Sequence, residues 1–230
     1  MTPLVLIPGH MCDGRMWGPQ VAAFSAARAV VLAECAGADG MEALAANVLA
    51  AAPPRFALAG LSMGGIVAME VLRQAAGRVE RLALLDTNPL PEAEEVKAQR
   101  RERMGRVAAG ALAEVVRDEM KPLYLAPGPG KGAIMDLCYD MALALGPEVF
   151  AQQSRALMDR PDQRDTLAAF RGPALVLAGA EDRLVPMERH ALMARLMPQA
   201  AFEVVAGAGH LPVLEQPAAV NAALARWLAA

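Results

Sequence analysis

The sequence predicts an α/β fold: one domain on a mainly parallel sheet of about six strands, with a helical insertion. Three observations predict it. Short aliphatic runs alternate with longer helix-like segments along most of the chain. These runs are continuously apolar rather than alternating, as strands buried on both faces must be. One interval, residues 88–171, breaks the rhythm and contains no convincing strand. The length of 230 residues suits one such domain with an insertion, and buries a core without staples. Hydrophobic residues make up 55% of the chain but aromatics only 4%, so the core is aliphatic and Ala-rich, as helices packed on a sheet require.

The elements follow in order. LVLIP (4–8) is a strand ended by Pro-Gly, and GHMCDGRMWGPQ (9–20) is loop. A short helix is expected over Trp17 to Ala27 and a strand over RAVVLAE (28–34). Asp39 is placed to cap a helix over residues 40–52, which stops before Pro53-Pro54. RFALAGL (55–61) is a third strand, and MGGIVAMEVLRQAA (63–76) is a helix closed by Gly77. VERLALLD (79–86), PALVLAGA (173–180) and AFEVVAGA (201–208) complete the strands. Helices are expected near Glu188 to Met197 and Pro217 to Ala229. Within the insertion, residues 97–120 and 148–159 read as helices around the Pro/Gly-rich loop PLYLAPGPGKG (122–132).

The composition argues against several function classes. A net charge of −3 and no polybasic run argue against nucleic acid or a membrane surface as partner. Phe56 to Leu72 has no charge until Glu70, but a Gly-rich turn at its middle makes it strand, turn and helix rather than a span. The N-terminal MTPLVLIPGHM lacks the basic region of a signal peptide. Cys12, Cys35 and Cys138 form neither a disulfide framework nor a CxxC site and read as reduced thiols. A cytoplasmic protein is the expectation. PGPGKG (127–132) lacks the Gly and Ser/Thr of a P-loop, and GAGHLP lacks the third Gly of a dinucleotide fingerprint. No spacing suggests a metal site, so neither metal nor cofactor is expected.

One short motif carries chemistry. Serine occurs only at positions 25, 62 and 154, yet Ser62 is fenced by glycines in GLSMGG (60–65), between a strand and a helix. GLSMG matches G-x-S-x-G, the nucleophile elbow. A serine hydroxyl needs a base, a group to orient that base, and donors for the oxyanion. At a tight strand-to-helix turn, side chains two residues either side of the serine would collide, and Gly60 and Gly64 remove them. Of three histidines, His210 follows the last strand, while His190 lies beside Arg189 on a helix and reads as a surface residue. Asp182 ends the fifth strand. The order Ser62, Asp182, His210 is that of a triad on this architecture, each at a strand's carboxyl end. Asp86, after the fourth strand, is a second position for the acid, and Glu181 is adjacent to the first.

With LIPGHMCDGRMW, GLSMGG, LALLDTNP, GAEDRLVP and GAGHLPVLEQP in place, the chain resembles the α/β-hydrolase superfamily over essentially its whole length. The resemblance implies a strand order 2-1-3-4-5-6, without the two strands that relatives set before the first. It implies a helical cap of about residues 88–171 over the site. It also implies an oxyanion hole from the backbone N–H groups of His10 and Met63. Pro8-Gly9 stands where relatives have His-Gly, which keeps the donor but alters the loop. Met11, Cys12, Trp17, Tyr124 and Leu211 are candidate pocket walls, and Glu215 and Pro217 resemble the family's structural tail. QRRERMGR (99–106) is either an anion-binding face of the cap or a solvated helix face.

The expected reaction is hydrolysis of a small or medium carboxylic ester through an acyl-enzyme, without cofactor. The family's C–C hydrolases and menaquinone-pathway lyases are an alternative, the latter requiring a carboxylate-binding Arg. A ligand receptor that retains the triad is another. Neither the substrate beyond a small-molecule ester nor the oligomeric state is legible.

Overall fold

The computed structural model describes residues 1–230. Six strands form one wholly parallel sheet: β1 (Leu4–Ile7), β2 (Val30–Leu32), β3 (Phe56–Leu61), β4 (Val79–Leu85), β5 (Ala174–Gly179) and β6 (Ala201–Val205). Their order is β2-β1-β3-β4-β5-β6, as the resemblance implies. β1, β3 and β5 are buried throughout, which is why their sequences read as unbroken apolar runs. β2 and β6 are edge strands and partly exposed, and β2 is shorter than the seven residues expected.

Successive side chains of each central strand feed opposite cores. Leu4 and Leu6 of β1, Ala57, Ala59 and Leu61 of β3, and Leu175 and Leu177 of β5 point into one. Val5, Ile7, Phe56, Leu58 and Val176 point into the other. The second core is closed by α2 (Met41–Ala51), α3 (Met63–Ala75) and α8 (Met187–Leu196). The first is closed by α10 (Pro217–Ala229) and by the segment between β4 and β5. A turn of 3-10 helix (Gly14–Trp17) leads into α1 (Gly18–Phe24), so the expected helix from Trp17 begins in a tighter turn and ends earlier. Asp39 does not cap α2, whose N-cap is Gly40; its carboxylate instead accepts from Arg155 Nε at 3.1 Å.

Residues 88–171 contain no strand. α4 (Glu94–Ala108) ends at a left-handed Gly110, where a single helix to residue 120 was expected. α5 (Leu112–Glu114) then runs into a π-helical turn, Val115–Met120. α6 (Lys131–Met158) starts well before the helix read at 148–159, and α7 (Arg164–Ala169) follows. Gly146 (φ 79°, ψ 177°) breaks α6 just before Pro147, a backbone only glycine holds without strain. That Gly-Pro break hid the first half of α6 from a periodicity reading. No helix is long and apolar enough to cross a membrane.

Candidate active site

β3 ends at Leu61, and Ser62 turns the chain into α3 with φ 55° and ψ −118°. This is a left-handed backbone on a residue with a Cβ, costing about 1–3 kcal/mol. The surroundings hold it there. The Ser62 N–H donates to the Leu85 carbonyl at 2.9 Å, and the Thr87 hydroxyl donates to the Ser62 carbonyl at 2.7 Å. Met11 (φ 53°) and Asp86 (φ 44°) are the other two non-glycine residues in this region, so the loops after β1, β3 and β4 all carry strain. A Cβ on Gly60 would overlap the Gly64 carbonyl, and one on Gly64 would overlap the Ile7 carbonyl. Both clashes are with backbone, which no rotamer relieves. Gly64→Ala is therefore expected to destabilise the protein by about 3 kcal/mol or more. A urea midpoint within error of wild type would refute that packing.

The structure brings Ser62, His210 and Asp182 together. Ser62 Oγ lies 2.8 Å from His210 Nε2, and His210 Nδ1 lies 2.9 Å from Asp182 Oδ2. Asp182 Oδ1 accepts the N–H groups of Leu184 (2.8 Å) and Val185 (3.2 Å). Burial alone would raise the Asp182 carboxyl. The hydrogen bond and charge of His210, with those two N–H donors, outweigh it and hold the carboxyl below its usual range. An ionised Asp182 accepts a hydrogen bond from the Nδ1–H, which fixes the tautomer and leaves Nε2 to accept from the serine hydroxyl.

The loop carrying His210 is clamped from both sides. The Glu215 carboxylate accepts the N–H groups of Gly209 (2.9 Å), Leu211 (3.0 Å) and Ala126 (2.7 Å). The His210 N–H donates to the Tyr124 carbonyl at 2.7 Å, and the Tyr124 ring stands edge-on to the imidazole. Glu215 thus tethers both neighbours of His210, a role its sequence position alone did not reveal. The β1 loop is held in the same way. The Met11 N–H donates to Gln153 Oε1 at 2.8 Å, and Gln153 Nε2 donates to the Cys35 carbonyl at 2.6 Å.

Asp86 does not reach His210. Its Oδ1 accepts the Gly179 N–H at 2.8 Å, and its Oδ2 has no hydrogen-bond partner. Oxygens of Asp86 and Asp182 and a ring nitrogen of His190 lie within 4.8 Å of one another. His190 is fully buried, against the surface position expected. It shares the inward face of α8 with Met193, a spacing that the adjacent Arg189 masked. Burial lowers its imidazole, so it is neutral. Burial first, then the charge of Asp182, pushes the Asp86 carboxyl well above its usual range despite the Gly179 donor. Asp86 therefore keeps its proton in the native state.

A pH dependence follows. The unfolded chain releases the Asp86 proton near pH 4, roughly, while the folded chain retains it. Stability falls as pH rises through that window. Asp86→Asn has no proton to lose. The variant's Tm relative to wild type is expected to climb from about pH 4 to about pH 7. A difference that stays flat across the range would mean that Asp86 ionises normally in the folded protein.

Above Ser62 and His210 lies a cavity of 440 Å³. His10, Met63 and Tyr124 line it; Met11, Cys12, Trp17 and Leu211 do not. Those four candidate wall residues are buried in the first core, because the β1 loop and the residue after His210 turn their apolar side chains under the site. His10 lines the cavity and also packs its ring on Phe150, 5.4 Å between centroids. Burial, then the charges of Arg100, Lys121 and Arg103, holds it well below the usual imidazole value and neutral. The Lys121 ammonium is buried over the Tyr124 ring at 4.4 Å. Cys12 is lowered to about 6 by its hydrogen bond with Cys138, with Lys121 assisting against burial.

This strand order and strand-to-helix serine turn have known counterparts. A model of the alpha/beta hydrolase family matches residues 4–223, and the chain belongs to that family. A pimeloyl-[acyl-carrier protein] methyl ester esterase of Xanthomonas campestris is 30% identical over 79% of this chain and 74% of its own. The dihydrolipoyllysine-residue acetyltransferase component of the acetoin cleaving system of Pseudomonas putida is 29% identical over 99% of this chain. The chain spans 63% of that protein's length. A thermophilic esterase from Thermogutta terrifontis superimposes with a TM-score of 0.91 at 32% identity, covering 99% of this chain and 89% of its own.

Proposed function

We propose that the chain is a serine hydrolase that cleaves a small or medium carboxylic ester, with Ser62 as nucleophile, His210 as general base and acid, and Asp182 orienting the imidazole. The observation that carries this reading is the unbroken Ser62–His210–Asp182 hydrogen-bond chain at the floor of a 440 Å³ cavity. That volume falls in the usual range for small-molecule sites. The two relatives named as esterases support an ester as substrate.

His210 takes the hydroxyl proton as Ser62 Oγ bonds to the ester carbonyl carbon. The N–H groups of His10 and Met63 hold the resulting oxyanion. The His10 N–H is free for this, since the hydrogen bonds that hold its turn are made by Met11 and Cys12. Collapse breaks the bond to the alkoxy oxygen, which leaves with the proton from His210. Water then gives a proton to His210 and its oxygen to the acyl carbon, releasing the acid and restoring Ser62. Residues 88–171 act as the cap, since Leu90, Arg100, Met120 and Leu123 from that segment line the cavity. The chemistry calls on no cofactor.

The test is a chain-length series of p-nitrophenyl esters in excess over enzyme, followed in the pre-steady state, with mass spectrometry of the quenched enzyme. A burst of p-nitrophenolate and an acyl mass on the peptide containing Ser62 are expected. Turnover without an acyl adduct on that peptide would sink the assignment. One observation favours a second reading, the lyase: Arg183 and Arg189, neither held in an ion pair, bring the required carboxylate-binding group to the cavity. A lyase would show slow ester turnover and no acyl adduct.

A further inference from the structure

We propose that the substrate carries an ionised carboxylate remote from its ester carbonyl, received by Arg183 and Arg189. The inference rests on the ester-hydrolase reading and deepens it. Five arginines from four parts of the chain converge on the one cavity: Arg100 and Arg103 of α4, Arg160 after α6, Arg183 after β5, and Arg189 of α8. Two carboxylates of the same wall are already paired with them. Glu92 is shared by Arg100 and Arg160, and Glu119 pairs with Arg103. Asp182, which does not line the cavity, is engaged with His210 and two backbone donors. The third acid of the wall, Asp86, keeps its proton. The wall is therefore cationic, although the whole chain carries −3.

The surplus sits at identifiable groups. Arg189 makes no ion pair in the protein, and Arg183 makes only a 3.4 Å hydrogen bond to the Leu125 carbonyl. Both guanidiniums keep their forked N–H donors for a ligand. A fork of parallel N–H groups matches the two oxygens of a planar carboxylate, and such bidentate pairs are stronger than neutral hydrogen bonds. A partly enclosed cavity lined by one sign of charge also concentrates substrate of the other sign. Both arginines are exposed at the cavity, and a purely neutral ester would leave their donors to water. The occupant that uses them is a half-ester of a dicarboxylic acid, its free carboxylate on the arginines and its ester carbonyl at Ser62.

The experiment compares mono-p-nitrophenyl adipate with p-nitrophenyl hexanoate, which match in acyl length and differ in the terminal carboxylate. kcat/KM is expected to be at least tenfold higher for the adipate, with the advantage shrinking as salt is added. Arg189→Gln should reduce the ratio at least fivefold. Arg101→Gln, the same charge change at an exposed position of α4 outside the cavity, should keep it. Equal or faster turnover of the hexanoate overturns the carboxylate proposal and leaves the ester-hydrolase reading intact. If neither ester is hydrolysed, that reading fails, and binding decides this one. In Ser62→Ala, calorimetry should then show monomethyl adipate binding at least tenfold tighter than methyl hexanoate, with the difference lost in the double variant with Arg189→Gln. Equal binding of the two, or tighter binding of inorganic phosphate than of adipate, overturns the proposal.

Discussion

Ser62→Ala is expected to reduce ester turnover by about 10⁶-fold, Asp182→Asn by about 10⁴-fold, and Asp86→Asn by no more than about tenfold. The ranking follows from what each group touches. Without Oγ there is no atom to form the acyl bond, and only cavity binding and the oxyanion donors remain. Asn at 182 keeps the shape of the carboxylate, but with its oxygen still accepting the Leu184 and Val185 N–H groups it presents its NH₂ to His210 Nδ1 and carries no charge to stabilise the imidazolium. Nδ1 must then accept, so Nε2 carries the proton and cannot take one from Ser62 Oγ, 2.8 Å away. Asn at 86 imitates the protonated acid already there, with its carbonyl still accepting the Gly179 N–H. Steady-state kinetics on one activated ester separates the three. A larger loss at Asp86→Asn than at Asp182→Asn would reassign the orienting acid to the end of β4. Ser62→Ala leaves the φ 55° backbone in place, whereas Ser62→Gly relieves it. The glycine variant is therefore expected to be the more stable of the two inactive proteins.

The sheet and the serine turn were legible because both are local. A strand buried on two faces must be apolar at every position, and Val5 and Leu6 show this by feeding different cores from adjacent positions. The elbow glycines were legible because a collision two residues away is a property of the pentapeptide itself. Asp182 and His210 followed from strand ends, which parallel connections bring to one edge. What the sequence hid was long-range. Gln153 reaches the β1 loop across 142 residues, and nothing near it in sequence says so. His190 hid behind its charged neighbour because one residue's step on a helix turns from core to solvent. The arginines of the cavity wall come from four separate segments, and only QRRERMGR (99–106) was dense enough to notice. Of its residues, Arg100 and Arg103 face the cavity, where Glu92 and Glu119 hold them, and Arg101 is exposed.

Glu92→Ala is expected to destabilise the protein by about 3–5 kcal/mol. Glu92 follows β4, with its side chain only 2% exposed, and two guanidiniums close on it. Arg100 donates from Nε at 2.8 Å and from Nη2 at 2.9 Å. Arg160 donates from Nη1 at 2.6 Å, and its Nε holds the Leu90 carbonyl at 2.9 Å. The three residues pin the start of α4 and the end of α6 together beyond the carboxyl end of β4. Removing the carboxylate strands two mostly buried cations side by side, which costs more than the attraction ever contributed. A triple Met variant at 92, 100 and 160 removes the stranded charges too, and is expected to recover most of the loss. The pH dependence has a definite sign. Burial would raise the Glu92 carboxyl, but its bonds to Arg100 and the charge of Arg160 outweigh it and hold it below its usual range. Its contribution is complete above the unfolded value of about 4.3 and is lost as pH falls through the lower folded one. Urea midpoints at constant m should therefore show a large gap between wild type and Glu92→Ala at neutral pH that narrows in acid. A gap under about 1 kcal/mol at neutral pH would mean that the arginines find water as easily as they find Glu92, and that this junction is held by apolar packing alone.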